Sequence, residues 1–448
     1  VKIDLYHLYV HSNHVRLMLP PILDVLQLWT ESLGHEITLR VSTEKNICYD
    51  TRADVIAISV YTQTAMAAYR IAERFRKNSK IVILGGPHFH GQLTLHEGAA
   101  HCDIVVASLC RRQWQELLSG IKSEKIKRGR HRALVIEDTM NEFSFPEDLY
   151  HIYRKKKAWQ FTLIPASLGC PYRCEFCNPY MPGTYVTRDI DLIVNEIKTV
   201  KSPVLGLCDA TFGLDKRHTL ELMKKIAPLK KQLWIETTLV RLKDTEFLDA
   251  LQAGGVKWIA VGIESLSQSF RKHGSGTVED MIHLFTEVNR RGMLIQGNFI
   301  CGIDSDGPDS FSRIYGLCRK SGINFAYVDL MVPFPTTEIY RRLVDEGRII
   351  DTNWERYDFH HLVYRPEKMS PEELVSGYTA LYRKITSPRF LLSKAMQIIR
   401  HGGLRLGPLL MVAYSIFTVF DARKKERMLK KNVIQIGDKK KMIGPANG

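Results

Sequence analysis

Apolar residues in the first 121 positions fall into short runs: I-D-L-Y-H-L-Y-V from Ile3, D-V-I-A-I-S-V from Asp54, K-I-V-I-L-G-G from Lys80 and D-I-V-V-A-S from Asp103. Between them stand longer stretches with an apolar residue every three or four positions, Pro21 to Leu33 and Ala65 to Arg76 among them. Short apolar runs suit buried strands, and the longer period suits amphipathic helices. Their alternation predicts a parallel sheet with crossover helices, a doubly wound α/β domain over 1–125. A turn-prone basic stretch, K-S-E-K-I-K-R-G-R-H-R from Lys122 to Arg132, and a second basic cluster, Arg154 to Lys157, mark 126–158 as an irregular linker.

From Phe161 a second alternation begins, with apolar runs near Phe161–Pro165, Val204–Leu207, Leu233–Thr237, Trp258–Ile263, Met293–Ile300 and Ala326–Met331. Six strand and helix units are too few for a closed eightfold barrel and predict a partial (β/α)6 barrel over 159–350. Past Pro335 the pattern turns helical, and 351–448 is expected to be a helical region with a basic tail.

The 448 residues are 45% hydrophobic and 25% charged, an ordinary folded composition rather than a collagenous or broadly disordered one. The net charge of +15 favours anionic partners, whether nucleic acid, anionic lipid or an anionic substrate. Nine cysteines, three of them close together and the rest scattered, do not form an extracellular disulfide framework, so a cytoplasmic setting is expected. The N-terminus reads as a strand rather than a signal peptide. The longest apolar run, Leu406 to Phe420, is shorter than the roughly 20 residues of a spanning helix.

Cys170, Cys174 and Cys177 stand as C-P-Y-R-C-E-F-C directly after the first strand of the second domain. Three thiolates on one tight loop can hold three irons of a 4Fe-4S cluster and leave the fourth open. Structural zinc, the alternative, asks for a fourth Cys or His nearby, and none follows at compatible spacing. The C-x3-C-x2-C spacing, with Phe176 before the last Cys, resembles the signature of the radical S-adenosylmethionine (SAM) superfamily. In that family the open iron binds the amino and carboxylate groups of SAM, and reductive cleavage releases a 5′-deoxyadenosyl radical. The resemblance makes Cys170, Cys174 and Cys177 the metal and catalytic ligands and sets Phe176 against the adenine.

Strand ends downstream extend the resemblance. C-D-A-T-F-G, Cys208 to Gly213, stands where the family often has D-D-x-F, so Asp209 is a candidate for the methionyl amine; an ordinary Asp turn is the plain alternative. V-G-I-E-S resembles the family's G-I-E-S, which makes Glu264 a ribose or methionyl contact. In T-T-L-V-R-L, Arg241 resembles a position facing the SAM carboxylate, or else is an exposed loop arginine. G-N-F-I-C-G-I-D keeps Ile300 and Gly302 of a motif beside the adenine, with Asn298 in place of a usual Gly and Asp306 of a usual Glu.

A doubly wound, Rossmann-like domain ahead of such a barrel, with G-G-P-H at Gly85 to His88, resembles the cobalamin-binding branch of the superfamily, of the class B methyltransferase kind. Glycines at strand ends let a large planar cofactor approach the backbone. Ser59, Thr62, Gly85 and Gly86 are expected near the corrin or its nucleotide tail. No D-x-H-x-x-G occurs, so a histidine-ligated cobalamin is not expected, and the branch's G-E-x-E-x-x-W is reduced to Trp114.

The resemblance implies a cobalamin-dependent C-methyltransferase acting on an unactivated carbon, with SAM serving both as methyl source and as radical source. Substrates in the branch include hopanoid lipids, tetrapyrroles, peptides and phosphonates. The alternatives are cyclisation, rearrangement or carbon-carbon coupling with the same cofactors, or a non-catalytic iron-sulfur or zinc protein. A small-molecule or lipid substrate and an external one-electron reductant of flavodoxin or ferredoxin type are the expected partners. Basic runs without interleaved aromatics give no reason to expect nucleic acid. His7, His11, His14, His88 and His90 are read as turn and surface histidines rather than a metal cluster. Leu404 to Phe420 with the following lysines and arginines fits either a peripheral contact with an anionic membrane or a helix packed on the barrel.

Overall fold

The computed structural model describes residues 1–9, 19–108, 110–126, 134–136, 143, 145–177, 183–267 and 276–402. Leu404 to Phe420 and the basic tail, with His11 and His14, lie outside the described residues. Among the described residues no helix is long and apolar enough to cross a membrane.

The N-terminal apolar runs become strands β1 (Lys2–Leu8), β3 (Val55–Ser59), β4 (Ile81–Gly85) and β5 (Ile104–Val106), joined by β2 (Glu36–Ser42) and β6 (Leu134–Ile136). All pair in parallel, in the order β2-β1-β3-β4-β5-β6. Strand order therefore reverses between β1 and β3, the doubly wound arrangement whose ligands lie beyond the carboxyl ends of the strands at that reversal. The strand β2 carries no continuous apolar run; its E-I-T-L-R-V-S alternates on a half-exposed edge, which is why run length alone passes over it.

Helices α1 (Pro21–Ser32), α2 (Ala65–Lys77), α3 (Gln92–Ala99) and α4 (Arg111–Lys122) intervene. Helix α2 buries Ala65, Ala68, Ile71, Ala72 and Phe75, the single stripe its period calls for. The expected irregular linker over 126–158 differs in two respects: β6 extends the sheet, and α5 (Tyr150–Lys155) is a docked helix. Leu149, Ile152 and Tyr153 are buried on one face, while Lys155 and Lys156 pair with Glu31 and Asp24 at 2.7 Å each.

The chain divides into two compact units, Val1–Ser202 with Pro333–Asp345 and Thr352–Asp358, and Pro203–Val332 with Glu346–Asp351 and the chain from Phe359. The first also holds β7 (Thr162–Ile164), the antiparallel pair β8 (Ser167–Leu168) and β9 (Val186–Thr187), and α6 (Ile190–Thr199).

In the second unit β10 (Val204–Leu207), β11 (Gln232–Thr238), β12 (Val256–Glu264), β13 (Leu294–Cys301) and β14 (Ile323–Leu330) pair in parallel and in chain order. Helices α7 (Lys216–Ile226), α8 (Leu239–Leu242), α9 (Thr245–Ala253), α10 (Val278–Arg290) and α11 (Ser310–Lys320) stand between them. With β7 this is the six-strand series expected of a partial barrel. Side-chain caps start the helices: Asp215 accepts from the His218 N–H, Asp244 from the Phe247 N–H, and Thr277 and Asp280 form a reciprocal box. Past Pro335 the described residues, which end at 402, carry the helices α12 (Glu338–Asp345), α13 (Pro371–Ile385) and α14 (Pro388–Gly402).

Candidate active site

The cysteine loop follows β7 and is tied down on both sides. The Gly183 N–H donates to the Cys170 carbonyl at 2.8 Å, the Cys177 N–H to the Cys174 carbonyl at 3.0 Å, and the Ile339 N–H to the Glu175 carbonyl at 2.9 Å. Beyond it, Arg188 donates two hydrogen bonds to Glu196 at 3.0 and 2.6 Å and one back to the Pro165 carbonyl, ahead of the loop, at 2.7 Å. The Arg188 backbone N–H reaches the Ala166 carbonyl at 2.9 Å. Sequence reasoning missed this buried ion pair, because eight residues separate its members and neither sits in a motif.

None of the nine cysteines is in a disulfide; Cys170 is buried, Cys174 half-buried and Cys177 exposed, with Phe176 half-buried between the last two. Among the described residues no three Cys, His, Asp or Glu side chains are already drawn together as a metal cage. The donor set nevertheless fits a cluster with one open iron: three soft ligands on an anchored loop, without the fourth that structural zinc needs.

Because β10 to β14 are parallel, their carboxyl ends share one edge, and the candidates of the second unit stand along it. Asp209 lies two residues beyond β10 and is buried. Arg241, in the short helix after β11, donates to the Gly213 carbonyl at 3.2 Å. The β10 loop is held to β11 by the Phe212 N–H on the Glu236 carbonyl and the Thr237 hydroxyl on the Phe212 carbonyl, each at 2.7 Å.

Glu264 ends β12 with φ +61°, and across it the Ser265 N–H donates to the Ile263 carbonyl at 2.8 Å, a tight γ-turn. The β12–β13 register shifts at this point. A Cβ added at Gly262 would lie 2.3 Å from Glu264 Oε1, so that glycine leaves room for the carboxylate. A non-glycine residue held at positive φ costs roughly 1–3 kcal/mol and persists only where its surroundings over-determine it, as active sites often do.

Gly302, at the end of β13, has φ +92°, and a Cβ there would meet the Tyr364 hydroxyl at 2.5 Å. Its N–H donates to the Asp306 carboxylate at 2.9 Å, and Ser265 Oγ approaches the other Asp306 oxygen at 3.5 Å. Asp306, which departs from the family's Glu, thus joins the β12 and β13 loops, and burial pushes its carboxyl pKa up. Ile300, next to last on β13, is partly exposed.

In the first unit, Ser59 and Gly85 pair across β3 and β4, partly exposed at their carboxyl ends. Thr62 instead meets His88: Tyr69 Oη and Thr62 Oγ1 lie 3.1 and 3.3 Å from the His88 ring nitrogens, and burial pushes its imidazole pKa down to about 3. Gly86, at φ +121°, is set against its own sheet, since a Cβ there would lie 2.6 Å from the Val60 carbonyl oxygen. That glycine answers a backbone packing demand first. The reading of His7 and His88 as surface histidines is therefore corrected; both are buried, because strand and turn carry them into the core. Trp114 is also a core residue, donating to Thr30 Oγ1 at 3.0 Å.

Residues 164–318 match the model of the radical SAM superfamily. The chain is 28% identical to the bacteriochlorophyllide d C-12(1)-methyltransferase of Chlorobaculum tepidum over 74% of each chain. It is 25% identical to the C-8(2)-methyltransferase of the same organism, over 79% of this chain and 84% of that one. In fold it is similar to the radical SAM methyltransferase TsrM from Kitasatospora setae, solved with cobalamin and a [4Fe-4S] cluster bound. The TM-score is 0.65 at 15% identity, and the match covers 97% of this chain and 99% of that one. The chain therefore carries a radical SAM domain, at residues 164–318, in a fold shared with a cobalamin-binding radical SAM methyltransferase.

Proposed function

We propose that this chain is a cobalamin-dependent radical SAM C-methyltransferase acting on an unactivated carbon of a small molecule, with side chains of chlorophyll-type tetrapyrroles as the first substrate class to test. The observation that carries this reading is the carboxyl edge of the second unit, where Asp209, Arg241 and the strained Glu264 follow three successive strands of the radical SAM domain. The tetrapyrrole preference rests on the two bacteriochlorophyllide methyltransferases to which the chain is 28% and 25% identical.

When bound, the cluster and SAM supply the hydrogen-abstracting 5′-deoxyadenosyl radical, and cobalamin supplies the methyl group. Cys170, Cys174 and Cys177 hold the cluster. By the family resemblance Arg241 would bind the SAM carboxylate, Asp209 and Glu264 would accept from its amine and ribose hydroxyls, and Phe176, Ile300 and Gly302 are the residues assigned to its adenine. Ser59, Gly85 and Gly86 line the corrinoid side. An external one-electron reductant completes the system.

The test is anaerobic reconstitution with iron, sulfide, hydroxocobalamin, SAM, a reductant and a bacteriochlorophyllide. A product heavier by one methylene, together with 5′-deoxyadenosine, is expected. 5′-Deoxyadenosine without methylene gain would point to cyclisation, rearrangement or coupling, and its complete absence to a non-catalytic iron-sulfur protein.

A further inference from the structure

His7 is the one described histidine ring with both nitrogens buried and without a hydrogen-bond partner. It lies next to last on β1 and is 1% exposed, with the edge of the Tyr61 ring at 5.8 Å between centroids. Buried polar groups in native proteins are nearly always paired, so an orphaned ring needs a reason. Burial pushes its pKa down to about 4, so at neutral pH it offers one N–H donor and one free lone pair.

Its place in the sheet supplies that reason. His7 is in register with Ser59 on β3, and Ser59 with Gly85 on β4, so the three stand side by side on one face of the sheet. Side chains shrink along that row, from imidazole to hydroxymethyl to none. Ser59 and Gly85 are partly open and His7 is the buried member of the row, on the strand that borders the β1/β3 reversal where ligands of such sheets lie. An unpaired buried polar ring followed across the sheet by two small, partly open residues suits a narrow polar appendage better than the broad face of a macrocycle.

We propose that His7 hydrogen-bonds the nucleotide tail of the corrinoid, and so makes the chain select tailed corrinoids over tail-less ones. This rests on the cobalamin reading above. His7 is held between two paired strands rather than on a projecting loop, so it addresses the tail and not the cobalt.

The experiment measures binding of hydroxocobalamin and of cobinamide, which lacks the nucleotide tail, to the full chain and to His7→Leu and His7→Gln. The unsubstituted protein should prefer cobalamin by at least about tenfold, the worth of one buried hydrogen bond. His7→Leu should erase that preference by weakening cobalamin alone, and His7→Gln should restore part of it. The melting temperature of His7→Leu without corrinoid should stay or rise, since an unpaired buried polar group is removed. Equal weakening of both corrinoids, or no weakening of either, overturns the proposal. A nitrogen splitting in the cob(II)alamin electron paramagnetic resonance spectrum that vanishes in His7→Leu also overturns it, by making His7 a cobalt ligand. Failure of the unsubstituted protein to bind either corrinoid instead removes the cobalamin reading itself.

Discussion

Glu196→Leu offers a sharp test of how the cysteine loop is held. Glu196 is 0% exposed and Arg188 9%, so removing the carboxylate leaves a guanidinium buried without its counter-charge. Two charge-assisted hydrogen bonds are lost, each contributing about 1.5–3 kcal/mol. Breaking a buried pair from one side costs about 3–5 kcal/mol. Arg188 keeps the Pro165 carbonyl and its seat over the Phe145 ring, 5.0 Å away, which places the expected loss toward the lower end, about 3 kcal/mol.

The double variant Arg188→Leu/Glu196→Leu should lose less than Glu196→Leu alone. It buries no unpaired charge and gives up chiefly the donor to Pro165, about 1–3 kcal/mol. Urea unfolding followed by circular dichroism measures the stability. Iron content after reconstitution reports the loop: the double variant, which loses the guanidinium's hold on the Pro165 carbonyl just ahead of Cys170, should retain less iron, and Glu196→Leu, which keeps that hold, should retain more than the double variant. A Glu196→Leu loss of stability under about 1 kcal/mol, or a double variant less stable than the single one, would refute the reasoning.

Gly262→Ala should leave the melting temperature nearly unchanged yet weaken SAM binding by about tenfold or more. The added Cβ would lie 2.3 Å from the movable Glu264 Oε1, and equilibrium dialysis with SAM reads the effect. Gly86→Ala should destabilise the N-terminal domain even without corrinoid, because its Cβ would strike the Val60 backbone; a folded variant of normal melting temperature would contradict this. Acid should weaken the fold through His7 and His88, whose pKa values burial lowers to about 4 and about 3. Below pH 6.5 the unfolded chain takes up protons that the folded chain refuses, so stability is lost as pH falls from about 6.5 toward 4, by about 3 kcal/mol for His7. Urea midpoints across that range should slope less in His7→Leu. Cys174→Ala should abolish SAM cleavage, and 5′-deoxyadenosine formed at the normal rate would exclude it as an iron ligand.

Strand and helix identity was legible in the sequence wherever burial is two-sided or strictly periodic. The run D-V-I-A-I-S-V became β3, K-I-V-I-L-G-G became β4, and the six later runs fell on β7 and β10 to β14, because a continuous apolar run or a helical stripe is a local property of the chain. The cysteine loop was legible for the same reason, its ligand spacing lying within eight residues. Tertiary structure alone decided the rest. The edge strand β2, the order that puts β1 beside β3, and the docking of α5 depend on partners far along the chain. So do the burial of His7 and the Arg188–Glu196 pair, since whether a polar side chain ends in solvent or in the core is settled by what folds over it. Gly86 shows the same limit: it reads in sequence as freedom for a ligand, while the space it leaves is required by the Val60 backbone.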